Sequence, residues 1–425
     1  MSPQLLAMAL APLLGLFIVS MGNGLMSSIT TLRLDAAGAS ALQIGLVSSA
    51  YFIGLALGSF FNDRLILRIG HIRAYSCFAS MIAATVLLQG LGNDTTAWFV
   101  LRLINGWACV GVYLVIESWL LLASDPKARG RVLAVYMIAL YGSGMFGQAA
   151  IGLVSGLGDS APFLITGMLA SLSVMPVVMI PRVTPLVERV EALSPRQLLR
   201  VTPTGVMGCF GSGVAIAAVY TLLPLYLQHR GMDLSQVGQM MACVILGAML
   251  LQYPVGRWSD RQDRQWVLMV LCAACLVLSL AIMALPASSL LLGGALFLLG
   301  GGIFAIYPVA VSHSADRAPA GAVVPMIQGL LLINSIGSAL SPMTVGQLMA
   351  KMGDNGLFWA FALLNLVMVV YFAWRRTRRA APESAAPFAA AAQMSPTGVE
   401  LRVTEDLQAA MDEATEAAEA DARAA

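Results

Sequence analysis

The stretch LRLDAAGASALQIG, residues 32–45, returns as LYLQHRGMDLSQVG at residues 225–238. With Leu32 laid on Leu225, Gly38 falls on Gly231, Gln43 on Gln236 and Gly45 on Gly238. Without a gap, Gly54 then falls on Gly247, Arg64 on Arg257 and Arg68 on Arg261. One residue further in offset, Gly106 and Tyr113 fall on Gly300 and Tyr307. Leucine-rich helices resemble one another by composition alone, but glycines and arginines of polar stretches do not line up for that reason. The chain therefore reads as two copies of one unit in the same order.

The unit is a bundle of membrane-spanning helices. Of the 425 residues 59% are hydrophobic and only 11% charged, where a soluble domain carries about 25% charged. Twelve runs reach the ~20 apolar residues that a span needs: 5–32, 43–62, 74–92, 97–122, 132–156, 162–181, 204–227, 236–256, 266–285, 290–313, 322–349 and 356–374. The first run has no charge, lacks a basic leader and exceeds a signal-peptide core of ~7–15 residues, so it reads as a retained span. The expected fold is all-α, twelve transmembrane helices in two pseudo-symmetric halves of six: residues 1–181, a polar linker 182–203, and residues 204–379. An even number of spans per half makes the halves parallel, related by an axis along the membrane normal. Residues 380–425, alanine-rich and acidic, read as a disordered or weakly helical cytoplasmic tail with no assigned role.

Arginine sets the orientation. One series of loops holds Arg64, Arg68, Arg73, Lys127, Arg129, Arg131, Arg182, Arg189, Arg196, Arg200, Arg257, Arg261, Arg264, Arg317, Arg375, Arg376, Arg378 and Arg379; the alternate series holds only Arg33, Arg230 and Lys351. Both termini and the linker are thus expected in the cytoplasm, with the protein in the plasma (inner) membrane. A net charge of +2 gives no reason to expect a nucleic-acid partner. Cys77, Cys109, Cys209, Cys243, Cys272 and Cys275 lie mostly in apolar runs and read as small hydrophobes, including the C-x-x-C of 272–275. No metal, cofactor or enzyme motif is present, nor a phosphate-binding loop for an ATP-driven pump; His71, His229 and His313 stand in separate loops or helix ends.

Charge inside a span is costly and marks function. In RLINGWACVGVYLVIESWLLL, residues 102–122, Arg102, Gly106, Cys109, Tyr113 and Glu117 form one helical stripe. Arg102 and Glu117 are more than ~20 Å apart along the helix and cannot pair. Arg102 reads as a cavity charge near the outer side. Burial penalises the charged form of a carboxyl, so Glu117 is the candidate proton-coupling site; the alternative is structural pairing with an arginine such as Arg131. Polar and aromatic positions within other spans supply candidate lining residues: Asn23, Tyr51, Asn105, Tyr113, Tyr141, Gln148, Tyr220, Tyr307, Gln328 and Asn334. For each, hydrogen bonding between helices is the commoner role.

Two motifs carry a family resemblance. GRWSDRQDR, from Gly256, resembles the loop signature G-x-x-x-D-R-x-G-R of the major facilitator superfamily, with Gly256, Asp260, Arg261 and Arg264 in register and Asp263 in place of the second glycine. RLINGWACVG resembles the family's R-x-x-Q-G, with Asn105 for glutamine. The segments GLVSSAYFIGLALGS, VIES, RGRVLAVYM, LPLYLQHRG, QYPVGR and IYPVAV resemble its YcaD-like branch over residues 5–375. The resemblance implies secondary transport of a small solute by alternating access, with Gly256, Asp260, Arg261, Arg264 and Arg68 as a cytoplasmic latch. The first-half copy of the latch, DRLILRIGHIR, is degenerate. Proton coupling is the leading expectation; an uncoupled carrier and a non-transporting sensor or scaffold on the same fold are the alternatives. A sensor would tolerate joint loss of Glu117 and Arg102. The expected partners are the lipid bilayer, a neutral, zwitterionic or lipophilic monovalent solute and protons, with the protein a monomer.

Overall fold

Hydrocarbon offers the backbone no hydrogen-bond partner, so an apolar run must satisfy its own amides as a helix. The computed structural model describes residues 3–122, 126–179, 193–287, 289–318 and 323–378, and their regular elements are all helices. In order these are α1 (Pro3–Ala36), α2 (Ala41–Ile69), α3 (His71–Gln89), α4 (Thr95–Leu122), α5 (Pro126–Ala149), α6 (Ile151–Ser155), α7 (Ala161–Leu172), α8 (Val174–Val178), α9 (Pro195–Val201), α10 (Pro203–Thr221), α11 (Leu223–His229), α12 (Leu234–Ser259), α13 (Arg264–Ala284), α14 (Leu290–Ala315), α15 (Val323–Met352) and α16 (Gly356–Arg378). Among the described residues twelve helical stretches are long and apolar enough to cross a membrane, one for each run read from the sequence. The fifth, sixth and seventh runs are each interrupted, giving α5–α6, α7–α8 and α10–α11; Pro224, in the first turn of α11, cannot donate to the preceding turn.

Within the first six spans, α1 packs on α5 and α7, and α4 on α2 and α3; within the last six, α10 packs on α14 and α15, and α13 on α14 and α16. The two sets meet along α2 against α15 and α5 against α12. Large apolar side chains such as Leu153, Met168, Val277 and Leu363 stand on the outside of the bundle, where lipid is their solvent.

The repeat is a repeat of backbone contacts. A side chain at Gly54 would run into the backbone of Leu103 and Trp107 on α4, and one at Gly106 into the backbone of Tyr51 on α2. In the second copy Gly247 meets Phe297 on α14, and Gly300 meets Val244 on α12. Phe297 and Val244 are the repeat equivalents of Leu103 and Tyr51. The crossing of the halves repeats likewise: Gly45 abuts Pro342 and Met343 on α15, while Gly238 abuts Gln148 on α5. The turns match too. Gly38 and Gly231 have φ of 76° and 86°, a left-handed conformation costly to residues with a Cβ. Capping boxes follow both, Ser40 with Gln43 and Asp233 with Gln236, each satisfying two orphan amides of the next helix.

One boundary differs from the sequence reading. The apolar run of the second span ends at residue 62, but α2 continues to Ile69 and α3 begins at His71, so Gly70 alone (φ 84°) connects them. Arg64 and Arg68 therefore ride on the last turns of α2, and Arg73 on the first of α3. A helix end beyond hydrocarbon can continue through polar residues, which an apolar count does not register. Arg182 and Arg189 of the linker, Arg379 and the tail lie outside the described residues, as do the side chains of Lys127, Arg129 and Arg131.

Candidate functional site

Between the two sets of spans lies a cavity of about 70 Å³, room for roughly five waters at ~10–15 Å³ each. The first six spans contribute Ser20, Asn23, Gly24 and Ser27 from α1, Tyr51 and Phe52 from α2, Arg102 and Tyr113 from α4, and Leu140, Tyr141 and Gly144 from α5. The last six contribute Ile216, Tyr220 and Thr221 from α10, Ile245 from α12 and Phe304 from α14. Of the residues singled out from sequence, Asn23, Tyr51, Arg102, Tyr113, Tyr141 and Tyr220 meet here. Ser20, Ser27, Phe52, Thr221, Ile245 and Phe304 carried no signal of their own.

The polar side of the cavity is a small network. Asn23 Nδ2 donates to the hydroxyls of Tyr51 (2.8 Å) and Tyr113 (3.1 Å), and the Cys109 thiol lies 3.7 Å from Asn23 Oδ1. The Arg102 side chain is buried, with its guanidinium carbon 4.4 Å from the centroid of the Tyr51 ring, a cation–π geometry. On the other side Tyr141 and Tyr220 each present to Phe304 at steep angles, with centroids 5.9 and 5.8 Å apart.

The remaining candidates lie elsewhere. Asn105 donates to Thr85 on α3 (3.2 Å). Gln148 donates to Ser27 and accepts from Ser28, each at 2.8 Å, and Asn334 donates to the carbonyl of Cys209 (2.9 Å). These bonds tie helix to helix, where the alternative is an unsatisfied polar group. Tyr307 is buried and Gln328 half-buried. Glu117, 1% exposed, lies near the far end of α4, outside the cavity lining, and is partnered.

At the arginine-rich face, Asp260 caps α12 and pairs with Arg264 (3.3 Å), whose Nε lies 3.3 Å from Asp316 at the end of α14. Arg376 of α16 pairs with Asp263 (3.4 Å). Gly256 is buried, while Arg261 and Arg68 are exposed. Asp316 completes this cluster, and only the fold brings it there.

At the opposite face His229 lies between the halves. Its Nδ1 is 2.7 Å from Asp354, after α15, and its Nε2 is 3.1 Å from Asp35, on α1. Only an imidazolium can donate from both ring nitrogens. Partial burial pushes the imidazole pKa down, but the bonds to Asp354 and Asp35 outweigh it and leave His229 raised above its ordinary value. Nearby, Gly346 faces the Ala41 carbonyl, and Gly152 abuts Ser235 of α12. The halves thus meet at backbone distance on this face.

Among the described residues no cluster of His, Cys, Asp or Glu could hold a metal ion. The profile of the Major Facilitator Superfamily matches residues 12–327. The chain is 32% identical over 361 residues to the "Uncharacterized MFS-type transporter YcaD" of Salmonella arizonae, covering 84% of this chain and 93% of that one, and equally so to its counterpart in Salmonella enteritidis. Among solved structures it is similar to the nucleoside transporter NupG (TM-score 0.71, 15% identity, 86% of this chain and 98% of that one). A D-xylose-proton symporter gives a TM-score of 0.69 at 12% identity, over 86% of this chain and 96% of that one. A bacterial homolog of the lysosomal transporter Spinster, solved inward-facing and unoccupied, gives 0.64 at 15% identity, over 96% and 98%. The repeated helix crossings, the cavity between the halves and these likenesses agree: this chain is a membrane transporter of the major facilitator superfamily, in its YcaD-like branch.

Proposed function

We propose that the protein is a secondary carrier that moves a small solute across the plasma membrane by alternating access, working as a monomer with its arginine-rich face in the cytoplasm. One observation carries this reading: the cavity is walled by both halves, and beyond it the arginine-poor ends of those halves are drawn together by the His229 bridge and the glycine contacts. Rocking one half against the other would break those contacts and expose the cavity to the outside. We assign the Asp260–Arg264–Asp316 cluster, at the other end of the second half, to the cytoplasmic side of the same motion.

Proton coupling through Glu117 is the narrower part of the reading. Its support is a buried carboxyl on the helix that brings Arg102 and Tyr113 to the cavity. The likeness to a proton symporter is one of fold and does not reach this residue.

The test of alternating access is a crosslink. Ala41→Cys with Gly346→Cys, across the arginine-poor ends of α2 and α15, should stop solute movement in proteoliposomes when oxidised and restore it on reduction. Uptake that persists in the fully crosslinked protein removes the proposal. A solute for the assay comes from a thermal-shift screen of metabolites, since binding to the folded state raises its stability.

A further inference from the structure

The cavity contains an unanswered cation. Nε and Nη1 of Arg102 are buried and have no hydrogen-bond partner among the described residues. One face of the guanidinium is covered by the Tyr51 ring, so its free donors lie in the plane of the group, where an acid oxygen can accept from them. The cavity lining includes no aspartate, no glutamate and no second cation. Glu117, on the same helix, is too distant to neutralise it. A buried charge is tolerated when a counter-charge meets it, and here the counter-charge must arrive with the solute. Asn23 supplies the proton in its bonds to Tyr51 and Tyr113, so both hydroxyls keep their own protons for donation. The polar side of the cavity is therefore rich in donors, and a cationic solute would be repelled by it.

The opposite wall has a different chemistry. Tyr141, Tyr220 and Phe304 bring three rings together in edge-on contacts. That surface suits a flat apolar body, and aromatic pairs favour such tilted arrangements. The cavity of about 70 Å³ has room for about five waters, so a ring with one acid group must widen it on entering and anything larger is disfavoured.

Building on the transport reading, we infer that the cavity binds a small aromatic monoanion, its acid group on Arg102 and its ring against Phe304, Tyr141 and Tyr220. The solute would approach as a monovalent anion and neutralise the site as it enters.

Benzoate is the probe, with benzamide as its neutral isostere, benzylammonium as the cation and acetate as the anion without a ring. Calorimetric titration and thermal unfolding of the purified full chain at pH 7.5 read the binding. Wild type should bind benzoate at least about tenfold more tightly than the other three. Arg102→Gln should abolish the preference for benzoate over benzamide, and Arg102→Lys should restore part of it. Phe304→Leu should weaken benzoate and leave acetate unchanged, which keeps the test decisive if an Arg102 variant does not fold. Equal binding of benzamide and benzoate by wild type overturns the proposal, as does the absence of benzoate binding at about 10 mM. If benzoate fails while proteoliposomes take up a neutral or cationic solute, the anion site is refuted and transport stands. If the crosslink leaves uptake untouched while benzoate binds through Arg102, alternating access fails and the anion site stands.

Discussion

The two halves share a backbone plan and differ in what they place on it. Ile216 occupies the repeat position of Asn23, Tyr220 that of Ser27 and Ile245 that of Phe52, and all six line the cavity. Polarity is not shared. Arg102 corresponds to Leu296, Asn105 to Leu299, Glu117 to Val311 and Tyr51 to Val244. The first half therefore holds the charge of Arg102 and the bonded Asn23, Tyr51 and Tyr113, while the second adds the Tyr220 and Thr221 hydroxyls to a mainly apolar and aromatic wall. The arginine-rich face is the reverse: Asp260, Arg264 and Asp316 form a buried or half-buried cluster in the second half, while the first-half copy has Leu67 where the motif's aspartate belongs. The repeat is kept in how the helices cross and lost in the side chains that face the cavity.

The largest expected effect tests what the halves share. Gly106→Ala and Gly300→Ala each push a methyl into the backbone of the facing helix, so both should destabilise by about 1–3 kcal/mol or more. Their unfolding temperatures in detergent should fall by similar amounts. Gly142→Ala, with open space around it, is the silent control. A large drop for one crossing and none for the other would show that the packing is not equivalent.

The next prediction sharpens the functional difference. Glu117→Gln keeps the shape of the acid without an exchangeable proton. It should abolish accumulation driven by an imposed pH gradient while solute exchange across proteoliposomes continues. Accumulation equal to wild type would leave Glu117 as a structural partner and make uncoupled diffusion the better reading.

A moderate effect is expected where the halves meet. His229 is raised above its ordinary value by Asp35 and Asp354, so its stabilisation of the closed face is complete below ~6.5. It is lost as pH rises through the raised value. The other charges nearby are engaged or exposed: Arg230 donates to the Tyr226 hydroxyl and to the carbonyls of Ile282 and Leu285, Arg33 pairs with Asp159, and Lys351 is solvated. A cysteine at Gly346 should react faster with an impermeant maleimide as pH rises from 5.5 to 8.5, beyond the change seen in a His229→Gln background. Identical profiles in the two backgrounds would remove the bridge from the gate.

The smallest effect concerns the arginine-rich face. Asp260→Asn should slow turnover several-fold with little change in solute affinity, because it shifts a conformational balance without touching the cavity. Arg64→Ala, exposed on α2, should do less. An equal loss from both would reveal a first-half latch.

The sequence was most legible where the lipid imposed the rule. Twelve apolar runs became twelve spans because hydrocarbon leaves the backbone no alternative, and the paired glycines marked both helix crossings because no other side chain fits there. Tyr113 and Arg102 could be placed on an inward stripe by helical spacing, while Tyr51 stood out only as an aromatic position within a span. Phe304 and Ile245 could not, since a cavity-facing apolar residue and a lipid-facing one look alike in a run such as LLGGGIFAIY. The meeting of Asp35, His229 and Asp354 was invisible for another reason: each stands alone at a helix end, the folding of the second half brings Asp354 within 2.7 Å of His229, and the docking of the halves brings Asp35 within 3.1 Å.

That bridge bears on how the carrier's ion stoichiometry is measured. A proton taken up by His229 when the face closes is returned to the same compartment when it opens. Such a proton never crosses the bilayer and carries no current. A synchronised closing of the face would register it as a brief alkalinisation outside the vesicle, which reopening cancels. Proton counts at steady state should therefore agree with charge counts from membrane current, and only the transient should vanish in a His229→Gln protein.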